Sequence, residues 1–264
     1  MTNLDTSIAP RKDKGPATAP RAKPSLRLKV GLTLALIFFV TIPLVGFLIY
    51  LGTRRAREQF LEQKALRTNW ARGHGLQALD PPTENGKLSS MLDTEAGKRV
   101  LKEFAEIKPL ARRTTKAYNL FEGTYANHAV KLFETRHEES SGESTTYYYG
   151  GVVSVSLTRQ APRFELRAHR AWDKVGAWFG SRDVELGRPS VDEKLYVTTD
   201  NTIFLSSLID EEAESYLLND RIDTWHCLGD RLVVVRRQRS TEADFDQMLT
   251  RATRIAQKAE SLLS

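Results

Sequence analysis

Few residues in this chain have the types and spacing that chemistry needs. His226-Cys227 sets a base beside a thiol, the pair a cysteine nucleophile requires. The segment around them, 223–228, reads as a strand. Neighbouring strand side chains leave on opposite faces, so the two are not expected to act on each other. Cys227 is read as a buried hairpin residue. His128, His137, Glu138 and Glu139 are metal-ligand types, but their spacing fits no standard zinc motif. His137-Glu138-Glu139-Ser140 also lacks the second histidine of H-E-x-x-H. Asp183 with Glu185, and Asp192 with Glu193, are carboxylate pairs of the kind used in acid–base catalysis. Loop carboxylates more commonly cap helices or face water. Tyr147-Tyr148-Tyr149 are candidates for a binding surface, although strand alternation predicts that one face of the three is buried. Trp172, Trp178 and Phe179 are read first as core and second as a lipid or partner contact. His74, between two glycines, is read as the neighbour of a helix end. No Gly-rich phosphate loop and no G-x-S-x-G occurs. Catalytic, cofactor-binding and metal-binding residues are therefore all read as none, and no cofactor is expected.

The elements that must position these residues fall in a clear order. RRAREQFLEQKALRTNWAR (54–72) is predicted helical from Phe60, Leu61, Ala65, Leu66 and Trp70. GHG (73–75) ends it, and DPPTENG (80–86) is a loop. A second helical segment runs from Leu88 to Ile107, with Gly97 a weak point. From Lys116 the pattern changes to strands. AYNLFEG (117–123) and AVKLFETR (129–136) make a hairpin around TYANH. TTYYYGGVVSVSLTR (145–159) and RFELRA (163–168) alternate with period two. Gly150-Gly151 predicts a bulge or a sharp bend. KLYVTT (194–199) is a strand, and Leu205 to Leu218 is partly helical. DTWHCLG (223–229) and RLVVVRR (231–237) form a hairpin turned near Gly229-Asp230. The last element carries Phe245, Met248, Leu249, Ala252, Ile255, Ala256, Ala259, Leu262 and Leu263 as one apolar stripe. Thr241 caps it, with Asp244 as its capping-box partner.

The stretch before all of this is Val30–Leu51, 22 residues without a charge. At about 1.5 Å per residue it spans roughly 33 Å as a helix, enough for a hydrocarbon core of about 30 Å. Arg27 and Lys29 flank one end and Arg54, Arg55 and Arg57 the other, placed to reach headgroups. Tyr50 suits an interface, and Pro43 predicts a bend. A cleaved signal peptide would carry a shorter apolar region and a small-residue cleavage site, in place of GTRRAR. The run is read as a transmembrane anchor, with the bilayer as partner through Val30–Leu51.

Charge sharpens that reading. The chain of 264 residues has a net charge of +6. Residues 1–29 hold seven Lys/Arg and two Asp, a net +5, while 54–264 hold 32 Lys/Arg and 31 Asp/Glu, a net +1. The basic excess belongs to a Pro-rich tail read as disordered. The nearly neutral remainder argues against nucleic acid as a partner. One cysteine excludes an intramolecular disulfide framework. Four Lys/Arg in 15–29 against five in 54–68 barely separate the two topologies. The reading leans to a cytoplasmic C-terminal domain.

Asn119 to Gly123, Val130 to Phe133, Val152 to Leu157, and Asp183-Val184-Glu185-Leu186-Gly187 through Val197 follow one another in a recognisable order. The chain from about residue 100 to 264 resembles a family of uncharacterised bacterial and archaeal membrane-anchored proteins. An aromatic usual in that family before the acidic pair near Ser190 to Glu193 is missing here. The resemblance implies a bacterial inner-membrane setting and no assigned activity. Seven strands and a final amphipathic helix also resemble a pleckstrin-homology-like barrel, a likeness of fold alone. Gly123-Thr124-Tyr125-Ala126-Asn127 holds no basic residue, which discounts inositide binding.

The expected architecture is α+β. A single N-terminal transmembrane helix precedes an antiparallel sheet, resembling a pleckstrin-homology-like barrel, packed against a C-terminal amphipathic helix. The divisions are a basic tail (1–29), the membrane helix (30–52), a helical stalk and helical segment (53–115) and an α+β domain (116–264). The expected function is a membrane-anchored binding or scaffold module with an unidentified protein partner, and not an enzyme. The alternative is a membrane-proximal hydrolytic enzyme using loop carboxylates. It requires Asp183, Glu185, Asp192 or Glu193 to converge with a histidine in a pocket.

Overall fold

The computed structural model describes residues 26–80, 92–169, 183–218 and 223–264, leaving aside the side chains of 26–38 and Val40. The chain divides into two compact units, residues 1–55 and 56–264. Helix α1, Leu26–Gly73, carries the apolar run and the helix expected after it, with Pro43 inside. Among the described residues no helix is long and apolar enough to cross a membrane. Much of Val30–Leu51 lies outside the described side chains. The described large apolar side chains from Phe39 to Tyr50 are all more than half exposed.

In the second unit, Gly75 at φ 75° ends the α1 turn and leads into β1, Leu76–Ala78. Helix α2, Glu95–Glu103, is capped by Thr94, whose side chain accepts the Gly97 N–H. It is shorter than the expected Leu88–Ile107 helix, of which 88–91 lie outside the described residues. Gly97 is a contact residue: a Cβ there would strike the Ala117 carbonyl of the neighbouring strand.

Strands β2 (Lys116–Tyr125) and β3 (His128–Ser140) form the expected hairpin. Ala126 and Asn127, both at positive φ, make its two-residue turn, as a type I′ turn requires. β4 is Thr145–Ser156 and β5 is Phe164–Ala168. Helix α3, Pro189–Lys194, starts on a proline, and β6, Leu195–Thr199, follows. Leu205–Leu218 resolves into two short helices, α4 (Thr202–Leu208) and α5 (Glu211–Leu217). Asp210 separates them because its side chain caps α5 through the Ala213 N–H. β7 (Thr224–Cys227) and β8 (Arg231–Arg236) turn through Gly229, at φ 101°. Helix α6, Glu242–Leu262, begins with the Thr241–Asp244 capping box.

The described strands form one open antiparallel sheet ordered β1-β2-β3-β4-β8-β7-β5-β6. This corrects the pleckstrin-homology-like barrel. β1 is only three residues long, and the outer edge of β6 is occupied. The Val184 N–H donates to the Val197 carbonyl, and the Val197 N–H donates to Asp183 Oδ1. With one edge short and the other covered, the two do not pair.

Alternation gives the sheet two buried faces. Val153, Val155, Leu132 and Phe121 face the α6 stripe of Phe245, Met248, Leu249, Ala252, Ile255, Ala256 and Ala259. Val152, Phe133, Leu120, Val233 and Val235 face Val100 of α2 with Phe104 and Ile107 beyond it. The Gly150-Gly151 expectation is also corrected, since β3–β4 register runs through it unbroken. These glycines allow close approach. A Cβ on Gly150 would lie 2.8 Å from the Arg236 carbonyl, and one on Gly151 would meet Ser240 Oγ and the Phe245 ring. The irregularity falls at Asn119 instead, at φ 49°, between Tyr118 and Phe121 of β2.

Candidate functional site

Lys64, Arg67, Trp70, Ala71 and His74 recur at steps of three and four, so they share one face of α1. That face is fixed by charge as well as by packing. Lys64 Nζ lies 3.2 Å from Asp80 Oδ2, with the side chains 6% and 5% exposed. Asp80 Oδ1 accepts the Leu120 N–H at 3.0 Å, which blunts the β2 edge beyond β1. Arg67 Nη2 lies 2.8 Å from Glu134 Oε1 and also donates to the Ser240 carbonyl. Its Nε is 3.7 Å from Glu242, and its guanidinium stacks 4.9 Å from the Phe245 ring. Trp70 Nε1 donates to Asp246 Oδ1 at 2.9 Å, and His74 Nε2 lies 3.0 Å from the same oxygen.

Glu134 is the centre of this network. Asn119 Nδ2 donates to its second oxygen at 2.6 Å, and the left-handed backbone at Asn119 is one that asparagine tolerates. Burial pushes the Glu134 carboxyl up, opposed by Arg67 and by the Asn119 bond. Burial, with Glu134 beside it, also pushes the Tyr118 hydroxyl up. A second ionic knot ties β8 to α6. Arg236 donates to both oxygens of Asp223, at 2.9 and 2.8 Å, and to Asp244 of the capping box at 2.6 Å. These buried charges hold elements together. Their carboxylates are engaged by arginine, lysine and amide groups, while Arg67 Nη1 and Asn119 Oδ1 stay buried without a hydrogen-bond partner among the described residues.

The exposed counterpart is the β3–β4 hairpin. β2 stops pairing at Lys116–Arg136, and β8 stops at Arg236–Gly151. Beyond them, His137–Ser140 and Thr145–Gly150 continue as a two-stranded arm. This corrects the expectation that one face of the tyrosine triplet is buried. Tyr147 and Tyr148 are 45% and 52% exposed, and Tyr149 is half-buried. Alternation still sends them to opposite faces, but among the described residues no strand flanks the arm and neither face has a core layer. Side chains brace it instead. Arg136 lies over Tyr147 at 4.8 Å and Arg239 over Tyr149 at 4.1 Å. His137 stacks on Tyr148 and is bonded by Arg112 and Thr114, both at 2.8 Å.

The other predicted residues disperse. Cys227 joins the α6-facing core, while His226 pairs with Val233 on the opposite face, so they form no dyad. Burial pushes His226 down to about 4, partly opposed by Glu165, and pushes the Cys227 thiol up. His128 is buried beside the Ser156 carbonyl. It sits at the other end of β3 from His137, roughly 30 Å away at strand rise. Glu139 is held by Arg112 at 2.6 Å. Among the described residues no group of three His, Cys, Asp or Glu could hold a metal.

Both oxygens of Asp192 accept backbone N–H groups, from Leu186 at 2.8 Å and Arg188 at 2.9 Å. Asp183 accepts the Val197 N–H, and its other oxygen lies 3.7 Å from His169 Nε2. Glu185 and Glu193 are exposed. An open depression of about 300 Å³, lined by Glu211, Glu214, Ser215 and Leu218, contains none of the four carboxylates. Trp172, Trp178 and Phe179 lie outside the described residues. Sequence reasoning missed Lys64, Arg67, Glu134 and Arg236. Their one sequence signal was a charge at a core-facing position: Lys64 and Arg67 share the Ala71 face, and Glu134 follows Phe133.

No protein-family model matches the chain, and no curated protein matches it. Among solved structures, it is similar to the crystal structure of the mycobacterial trehalose monomycolate transport factor A, TtfA. Identity is 14%, coverage is 76% of this chain and 94% of that one, and the TM-score is 0.45.

Proposed function

We propose that the chain is a membrane-tethered binding module: α1 anchors it through Val30–Leu51, and the unit from Ala56 onward is held at the bilayer to engage a protein partner. One observation carries this reading. Phe39, Ile42, Leu44, Val45, Phe47, Leu48, Ile49 and Tyr50 are each 53% exposed or more, on all sides of one helix. At about 25 cal/mol per Å² of apolar surface, such a helix in water forgoes a large stabilisation that a bilayer supplies. Confinement beside a membrane raises the effective concentration of weak partners without new contacts. The engagement of Asp183 and Asp192 by backbone N–H groups favours this reading over the hydrolytic one.

The anchor is tested by alkaline extraction and vesicle flotation of the full chain against a Val45→Arg, Leu48→Arg variant. The wild type is expected to stay with the membrane and the variant to shift to the soluble fraction; wild-type release would overturn the anchor. Protease protection then assigns the side of the C-terminal unit. Crosslinking in native membranes tests the binding role: a monomer with no enriched partner would sink it.

A further inference from the structure

The direction of the tyrosine arm relative to the second unit's own part of α1 carries a further step. Phe60 contacts Tyr118 at 6.2 Å between ring centroids, Arg67 reaches Glu134, and His74 contacts Tyr125 at 6.1 Å. Helix α1 and strand β2 therefore run the same way across this unit. Tyr118 pairs with Glu134, and the strand beyond it ends at Lys116–Arg136. The arm leaves the sheet at that end, on the side from which α1 enters the unit. From Glu134 to Ser140 it extends about 20 Å at strand rise.

The tether sets the reach. Eight residues, hence nine steps, separate Phe60 from Leu51. They span about 14 Å as helix and about 30 Å fully extended. Whatever the orientation of the two units, the end of the sheet that bears the arm is thus held within about 30 Å of the end of the apolar run. The arm's exposed rings are tyrosines, residues enriched at membrane–water interfaces because an apolar ring and a polar hydroxyl sit well at headgroup level. Glu139 is matched by Arg112 at 2.6 Å, while Glu138 and Glu143 leave the arm slightly acidic, so the layer it fits is one without anionic lipid.

We infer that Tyr147 and Tyr148 at the arm insert into the headgroup layer of the bilayer that holds the anchor, giving the module a second membrane contact. This rests on the anchor reading above.

The test uses the full chain in phosphatidylcholine vesicles carrying headgroup-level or acyl-chain nitroxide quenchers. Cys227 is buried, so a thiol-reactive environment-sensitive dye reports an introduced cysteine, with unsubstituted protein as the labelling blank. Dyes are placed at Tyr147→Cys on the arm, Val45→Cys in the apolar run, and Ala129→Cys, exposed at the opposite end of β3. The expected result is loss of Tyr147→Cys emission to headgroup quenchers and of Val45→Cys emission to acyl-chain quenchers, with Ala129→Cys unquenched. Quenching at position 45 without quenching at 147 overturns the arm contact and leaves the anchor standing. Quenching at 129 as well as 147 also overturns it, since the contact is then not the arm's. No quenching at any position removes the anchor and the arm contact together. A label-free arm follows amide exchange of 138–148, expected to slow in vesicles relative to detergent, and to lose that slowing in Tyr147→Ala, Tyr148→Ala. Equal exchange in vesicles and detergent counts against the contact.

Discussion

Arg67 of α1 and Glu134 of β3 meet at 2.8 Å with each side chain 11% exposed, 67 positions apart in the chain. Breaking a buried pair from one side leaves an uncompensated charge, at a cost of about 3–5 kcal/mol. Arg67→Met strands the buried carboxylate and is expected to lower unfolding free energy by about that much in urea titrations, whereas Glu134→Gln should cost less, because burial already disfavours the Glu134 charge. The double variant should lose clearly less than the sum of the two, because neither charge is then stranded. Strict additivity would mean that the pair is not coupled.

His226 predicts an acid sensitivity. Its folded value, about 4, lies below the ordinary 6.5. The unfolded chain therefore takes up a proton first as pH falls. The histidine's neutral burial is fully stabilising above about pH 6.5, and that stability drains away as pH drops from 6.5 toward 4, by on the order of a few kcal/mol. His226→Gln should flatten this limb of the stability–pH curve. Glu134 acts with the opposite sign: burial raises its folded value above 4.5, so protonation at falling pH favours the fold. Comparing His226→Gln with wild type in a Glu134→Gln background isolates the histidine. An unchanged limb there would contradict the assignment.

Gly97 offers a test in which helix propensity and packing disagree. Alanine is favoured over glycine inside a helix by about 1 kcal/mol. At Gly97, however, the new Cβ would strike the Ala117 carbonyl, a backbone atom of β2. Gly97→Ala is expected to destabilise by about 1–3 kcal/mol, the range for overpacking. A rise in melting temperature would show that α2 can shift on the sheet.

Asp192 separates a structural carboxylate from a catalytic one. Asp192→Ala removes the acceptor of two backbone N–H groups, Leu186 and Arg188. The expected loss is about 1–3 kcal/mol, with faster amide exchange at those two residues. Unchanged exchange at both would free this carboxylate from its structural role and revive the acid–base reading.

The elements that sequence read well are those whose side chains record their own surroundings. The α6 stripe and its Thr241–Asp244 box, the β2–β3 and β7–β8 hairpins, and the opposed faces of His226 and Cys227 all follow from local period and turn chemistry. Gly150-Gly151 and Gly97 were visible as glycines, but their reason was not. Each accommodates an atom from a distant element, and nothing local encodes that.

The apolar run, the basic tail and the neutral remainder were legible in composition alone, because charge and hydropathy need no partner to be counted. Contacts between residues far apart in sequence were not. Arg67, Glu134 and Ser240 come together only once α1, β3 and the start of α6 have packed. The open order of the sheet depends on Asp183 and Val184 covering β6. Tyr147 and Tyr148 alternate as any strand pair does. Whether they are buried depends on where β2 and β8 stop, and those ends are set by the neighbouring strands, not by the tyrosines.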